Sequence, residues 1–291
     1  MPARCLLRSL AACILCPIFA TALHAGDKPY FVTYDHQMEE PGNLEIATNP
    51  TLGKPQAGNR FLSLSTEFEY GLKGWWTTEF YLNSQTTRHD STLFTGFRWE
   101  NRIRLLMREH RINPVLYVEL SNINGADKTL KEVVGHDSQD DLADPNHLAR
   151  REKKREMETK LILSSNVKGW NIAENFIAEK NLKNEPWEFG YAVGLSRPLG
   201  LAASPSPCNF CWENFRAGVE FYGGLGTRYD FGLANTSHYV APILAWQLNR
   251  GVTLRISPGF GLTPESHRVL MRFGVSYEIP AFRRQLQQVF R

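Results

Sequence analysis

The feature that most constrains this chain is a long alternation of apolar and polar side chains. From Leu62 the apolar set is Leu62, Leu64, Phe68 and Tyr70, and between them stand Ser63, Ser65, Glu67 and Glu69. A period of two puts successive side chains on opposite faces of a strand, so this stretch has one apolar face and one charged face. The pattern recurs along the chain. Trp76, Phe80 and Leu82 oppose Thr77, Glu79 and Asn83. Leu93, Phe97, Trp99, Ile103 and Leu105 oppose Arg98, Glu100, Arg102 and Arg104. Leu116, Val118 and Leu120 oppose Tyr117, Glu119 and Ser121, and Met157, Leu161 and Leu163 oppose Glu158 and Lys160. Downstream, Glu188, Gly190, Ala192, Gly194 and Ser196 interleave with Trp187, Phe189, Tyr191, Val193 and Leu195. Arg216, Gly218 and Glu220 interleave with Phe215, Val219 and Phe221. Thr253, Arg255, Ser257 and Gly259 face away from Val252, Leu254, Ile256 and Phe260, as Arg272, Gly274, Ser276 and Glu278 do from Val269, Met271, Phe273, Val275 and Tyr277.

Two segments are less regular. In 169–181 the phase of Trp170, Ile172 and Phe176 also carries Glu174, which suggests a bulge or slip of phase. In 237–248 both phases are fairly apolar. The pattern predicts about twelve strands, near 42–49, 61–72, 74–86, 92–107, 112–123, 154–166, 168–181, 186–197, 214–225, 237–248, 250–262 and 266–279. Tight turns at 71–74, 167–169 and 249–251 carry the Gly and Asn that short hairpins need. The alternate connections, 50–60, 84–92, 124–153, 182–185 and 226–236, are longer and polar, and the one long connection on the short side is 198–213. Short turns at one end and long loops at the other describe a closed antiparallel transmembrane β-barrel, an all-β fold. A soluble β-sandwich also alternates, but its strands are shorter than the 11–14 residues read here. Trp75, Trp76, Trp99, Trp170, Trp187, Phe215, Tyr239 and Tyr277 collect near strand ends, as two interfacial girdles require.

Composition agrees where it bears on the argument. No stretch of the mature chain holds about 18 apolar residues in a row, so a helical membrane protein is excluded. Aromatic residues make up 12%, too many for a disordered chain. Lys plus Arg number 33 against 30 Asp plus Glu, a balance that does not point to nucleic acid. Arg4 and Arg8 followed by the apolar run 10–19 and a cleavage point after the small triplet Ala20-Thr21-Ala22, or after Ala25, read as a cleaved secretory signal over 1–25. A lipobox-like 10–13 within it is the alternative. Cys5, Cys13 and Cys16 lie in that leader, so only Cys208 and Cys211 remain to meet an oxidising compartment.

The opening 29–35 (Pro-Tyr-Phe-Val-Thr-Tyr-Asp), then Gly42-Asn43-Leu44-Glu45, then Tyr70-Gly71-Leu72 form a set of short motifs. In these the chain resembles a bacterial outer-membrane β-barrel family of transporters linked to the MetA pathway of phenol degradation. The resemblance implies an outer-membrane barrel of a Gram-negative bacterium and the passage of small molecules. Many outer-membrane barrels end on the aromatic residue of the last strand. This chain departs from them, because Tyr277 is followed by a tail from Pro280 to Arg291.

With the apolar phase toward lipid, the lumen receives Glu67, Glu69, Glu79, Arg98, Glu100, Arg102, Arg104, Glu119, Glu158, Lys160, Glu188, Arg216, Glu220, Arg255 and Arg272, with Glu278 at the end of the last strand. Such charges must pair, or water must surround them. Two readings stay open: a selectivity lining for a narrow wet pore, and a salt-bridged filling that stiffens the barrel. The expected layout is a signal over 1–25, a periplasmic N-terminal segment or plug over 26–41, a barrel over 42–279 and a periplasmic tail over 280–291. Residues 26–41 could instead form an extra strand. Cys208 and Cys211 are read as a local disulfide, with metal or redox roles lacking a second ligand pair or a suitable fold around them. The loop 124–153, with His136, Asp137, Asp140, Asp141, Asp144 and His147, reads as a solvated extracellular loop. The chain turns basic from Ala149, a short charged helix is expected with this loop, and a hard-cation or lipopolysaccharide-bridging site is the alternative. His89-Asp90-Ser91 and Ser237-His238 do not form a nucleophile, base and orienting group on one strand face. The expectation is therefore a non-enzymatic channel for small solutes, without metal or cofactor. Its surroundings would be outer-membrane lipid and lipopolysaccharide. A closed structural or adhesive barrel is the alternative, and a membrane hydrolase a more distant one.

Overall fold

The alternating segments all become strands. The computed structural model describes residues 28–129, 143–183, 185–204, 206, 208–248 and 251–289. The strands are β1 (Leu44–Lys54), β2 (Phe61–Lys73), β3 (Trp76–Thr87), β4 (Thr92–Arg104), β5 (Asn113–Asn124), β6 (Lys153–Val167), β7 (Trp170–Asn181), β8 (Trp187–Pro198), β9 (Phe215–Thr227), β10 (His238–Leu248), β11 (Val252–Gly261) and β12 (Val269–Ile279). Each pairs antiparallel with its sequence neighbours, and β1 closes onto β12. Closure leaves no strand edge, so the ladder hydrogen bonds are satisfied inside the sheet.

The barrel is inverted relative to a soluble one. Leu62, Phe80, Leu120, Leu161, Phe176 and Val275 are exposed on the outside. The inward phase is buried and largely polar, with Glu79, Glu100, Arg102 and Glu220 at no more than 1% exposure beside apolar side chains such as Phe61, Ile162 and Leu270. A continuous apolar outer belt of this kind needs hydrocarbon against it. The chain enters β1 and leaves β12 at the end that carries the short turns 74–75 and 168–169. The 199–214 connection lies at that same end. Its Cys208 and Cys211 are disulfide-bonded, and Asn209 O accepts the Trp246 indole N–H at 2.7 Å.

Several expectations are corrected. β1 runs on through Pro50 to Lys54, because proline removes one donor but keeps an extended φ. Pro50 pairs with Leu64 on β2. The ladder of β7 is unbroken on both sides, so Glu174 simply faces outward, opposite Leu163 and Val193. The register shifts lie elsewhere, at Gly71/Lys73, Asn83/Ser84 and Phe189/Gly190. Tyr239 points inward and stacks on Tyr222 at 5.0 Å, so it is not a girdle residue. β4 ends at Arg104 rather than 107. The short helix in the 124–153 loop is a single turn, α1 (Asn146–Ala149), and the basic residues that follow enter β6, which begins at Lys153. The tail forms α2 (Phe282–Val289), tied to the start of the barrel where Ala281 N–H donates to Asn43 Oδ1 at 2.8 Å. The leader, His136, Asp137, Asp140 and Asp141 lie outside the described residues.

Candidate functional site in the barrel lumen

All fifteen charged residues assigned to the interior from the sequence occupy the inward phase of their strands. Strand register arranges part of them in a way that sequence spacing does not reveal. Directly opposite one another stand Glu278 and Glu45, Glu45 and Glu69, Glu69 and Glu79, then Glu79 and Glu100. The series continues through Glu100 and Glu119, Glu119 and Glu158, Glu158 and Glu179, and Glu179 and Glu188. This is one unbroken row of glutamates from β12 through β1 to β8. Glu45 and Glu179 are members that the sequence reading missed. Glu278 stands one residue from the end of β12, and Glu188 is the second residue of β8. The row therefore climbs from the short-turn end to the long-loop end. Opposed residues lie about 5 Å apart, and tilted strands make such a row rise as it goes round. Eight steps rise about 25 Å, the height of the apolar band of an outer-membrane barrel.

Cations interleave with the row. Arg102, 1% exposed, hydrogen-bonds Glu69 and Glu79 and lies 3.2 Å from Glu100. Arg98 meets Glu119 at 3.0 Å and covers the Tyr81 ring at 4.0 Å. Lys160 meets Glu158 at 3.0 Å and sits between the rings of Tyr117 (4.2 Å) and Tyr34 (4.6 Å). On the other wall, Arg272 donates to the Tyr222 hydroxyl at 2.6 Å. Glu67, one row off, accepts from Asn49 at 2.6 Å.

Residues 28–41 lie inside the barrel and cross it twice. Lys28 Nζ pairs with Glu69 and, at 2.8 Å, with Glu79. Burial alone would lower the Lys28 ammonium, but Glu69 and Glu79 outweigh it and hold it above the ordinary lysine range. The segment then crosses to β7 and β8, where the Tyr30 hydroxyl donates to Asn171 Oδ1 at 2.9 Å and its ring lies over Gly194. A β-carbon on Gly194 would stand 2.6 Å from that ring, so glycine makes room for it. The backbone N–H groups of Phe31, Val32 and Thr33 donate to the Glu220 carboxylate at 3.2, 2.9 and 2.7 Å. Arg255 donates to Tyr30 O at 2.8 Å. Asn175 brackets Tyr34, accepting its N–H at 2.7 Å and donating to its carbonyl at 2.8 Å. The chain returns past Glu39, whose N–H donates to Thr77 Oγ1, and reaches Gly71, where the Glu40 carbonyl would collide with any β-carbon. The Glu39 carboxyl is pushed up to about 8 by burial first and then by Glu278 and Glu45.

At the long-loop end a second element folds inward. Gln85 donates to Ala126 O at 2.6 Å and accepts from Lys128 N–H at 2.9 Å, and Thr95 donates to Asp127 at 2.7 Å. His267 Nε2 lies 3.0 Å from Lys128 O. That carbonyl can only accept, so Nε2 carries the proton; burial pushes His267 down to about 4 and keeps it neutral. Between this loop and the N-terminal segment lies a cavity of about 190 Å³, lined by Tyr34, Glu67, Arg98, Glu119, Glu158 and Arg255 among others.

The serine and histidine candidates serve structure. Asp90 accepts the Asn146 N–H at 2.6 Å and the Ser91 hydroxyl at 3.1 Å, tying two loops together. His238 Nε2 faces Thr236 Oγ1 at 2.8 Å and Leu233 O at 3.1 Å, and its Nδ1 faces the Tyr191 hydroxyl. His36 meets Ser164, but that hydroxyl also accepts the His36 backbone N–H at 2.9 Å and so anchors the segment.

No protein-family model matches the sequence, and no curated protein matches it. Among solved structures the barrel is similar to the COG4313 outer-membrane channel from Pseudomonas putida F1. The TM-score is 0.58 at 9% identity, over 86% of this chain and 100% of that one. It is also similar to the NanC porin, with a TM-score of 0.50 at 10% identity over 81% of this chain and 100% of the porin. At these identities the likeness is one of fold, and the fold is that of the closed outer-membrane barrels of channels and porins.

Proposed function

We propose that the protein is an outer-membrane channel for small solutes, with residues 28–41 lodged in its lumen as a constriction. The observation that carries this reading is the lumen itself: a cavity of about 190 Å³ remains inside the barrel, and Glu67, Arg98, Glu119, Glu158, Lys160 and Arg255 line it together with aromatic rings. A space of that size with charged groups in its lining holds water or a small solute. The fold shared with solved channels supports it. The sequence resemblance to the MetA-pathway transporters supports small-molecule passage and leaves the solute open. In this reading residues 1–25 direct export, lipid and lipopolysaccharide surround the outer belt, and the disulfide-bonded 199–214 connection faces the periplasm. No catalytic step is assigned.

The test is conductance of the folded protein in a planar bilayer, beside a variant lacking residues 28–41. Discrete steps from the full chain, and larger ones from the variant, are expected. Silence from both, with folding verified, overturns the channel reading.

A further inference from the structure

Like charges directly opposite across a sheet are destabilising, and buried carboxylates are costly without counter-charges. The wall nevertheless carries eight consecutive glutamate pairs, and they trace one path between the two ends of the barrel. The resident cations show what this path accommodates. Arg98 and Lys160 each sit against a carboxylate and a tyrosine ring, the combination that recognises guanidinium and ammonium groups. Both are fixed to strands. Lys28 is different, because it rides on the irregular N-terminal segment, and its side chain is 19% exposed against 1% for Arg102 beside it.

A second feature at the foot of the row points outside the chain. Glu39 is 2% exposed, and neither carboxylate oxygen has a hydrogen-bond partner. It faces Glu45 from β1 and Glu278 from β12, with Lys28 as the nearby cation. A buried carboxyl left without a partner is expensive, and a cation arriving as it ionises would supply one.

We infer that the glutamate row is a track for small organic cations, and that the Lys28 ammonium is its tethered occupant, holding the step between Glu69 and Glu79 until a solute ammonium replaces it. This rests on the channel reading. Displacement exchanges one ammonium for another on the same two carboxylates, so charge is conserved at the step. Release of Lys28 also frees the start of a segment that narrows the lumen, which couples cation entry to passage.

The test uses the full chain in a planar bilayer with spermidine as the ammonium probe. The wild type is expected to prefer potassium over chloride and to show current block by spermidine. Lys28→Met is expected to move half-block to about tenfold lower spermidine, since the tethered competitor is gone. Lys28→Arg, which keeps the charge, is expected to stay near the wild-type value and guards against a folding defect in Lys28→Met. Combined Glu45→Gln, Glu179→Gln and Glu188→Gln is expected to reduce the potassium preference severalfold. Neutralising Glu152, Glu213 and Glu265, which lie outside the strands, is expected to leave it unchanged. Conductance with chloride preference, or spermidine block that ignores both Lys28 and the row, overturns the inference while leaving the channel reading intact. Absence of conductance from the folded barrel overturns both.

Discussion

The two walls of the lumen handle charge differently. On β1 to β8 the carboxylates line up across strands and meet side-chain cations and tyrosine rings. On β9 to β12, apart from Glu278 at the foot of the row, fewer charges face the lumen, and two of them grip backbone: Glu220 takes three N–H groups of the N-terminal segment, and Arg255 takes a carbonyl. Contacts to backbone fix where a segment lies whatever its side chains are, whereas contacts to charged side chains discriminate. Both walls position the segment, since Asn175, Ser164 and Thr77 on β7, β6 and β3 also hold its backbone, and the β1–β8 wall adds the row of carboxylates that confronts whatever shares the lumen with it. Small residues make room for the segment on both walls, since Gly194 of β8 lies under Tyr30 and Gly274 of β12 under Phe31.

The comparison is broken most severely at Arg102, the cation shared by Glu69, Glu79 and Glu100. Arg102→Leu leaves buried carboxylates short of counter-charge and should destabilise the barrel by about 3–5 kcal/mol, read from urea unfolding in detergent. An unchanged midpoint would show that the row needs no internal counter-ion. The grip on the segment is broken at Glu220. Glu220→Ala strands three N–H donors at a cost of about 2 kcal/mol, and should release the segment without unfolding the barrel. A cysteine placed at the buried Thr33 should then react with a soluble maleimide far faster than in the parent. Gly194→Val should give the same labelling, because its β-carbon would collide with Tyr30.

A smaller effect comes from pH. The Glu39 carboxyl, raised to about 8, is protonated at neutral pH and ionises as pH climbs through that value. The foot of the row, facing Glu45, Glu278 and Lys28, then gains a negative charge, so cation preference should rise between pH 7 and 9. The stability sign is the reverse: the folded state holds a proton that the unfolded chain releases near pH 4.3, so this group costs stability progressively from there to about 8. A preference that falls across that window would remove Glu39 from the conducting path. The smallest effect is expected at Glu174, which faces outward from β7. Glu174→Gln should leave ion preference unchanged and shift stability by less than about 0.5 kcal/mol.

The barrel was legible because lipid outside and charge inside force a period of two on every strand, and the inward residues from Glu67 to Arg272 were read directly from that phase. The row was not, because it depends on register around a closed sheet, and its members have no regular spacing in sequence. Two of them were also masked locally. The strand carrying Glu45 reads only from 42 to 49, too short to fix its phase firmly, while the outward Glu174 blurs the phase that places Glu179 inside. Tyr239 was misplaced because both faces of β10 are apolar, one meeting lipid and the other an aromatic stack. The position of residues 28–41 did leave a trace: the inward phases of β8, β9 and β12 are rich in Gly190, Gly194, Gly218 and Gly274, space that a second layer must fill.

The measurement that bears most directly on the account is the reversal potential of the unmodified protein in a potassium chloride gradient. A potential whose sign reports cation preference, and which collapses toward zero in the Glu45→Gln, Glu179→Gln, Glu188→Gln variant, is the predicted result. A chloride-selective potential, or a cation preference that survives loss of those carboxylates, would contradict it.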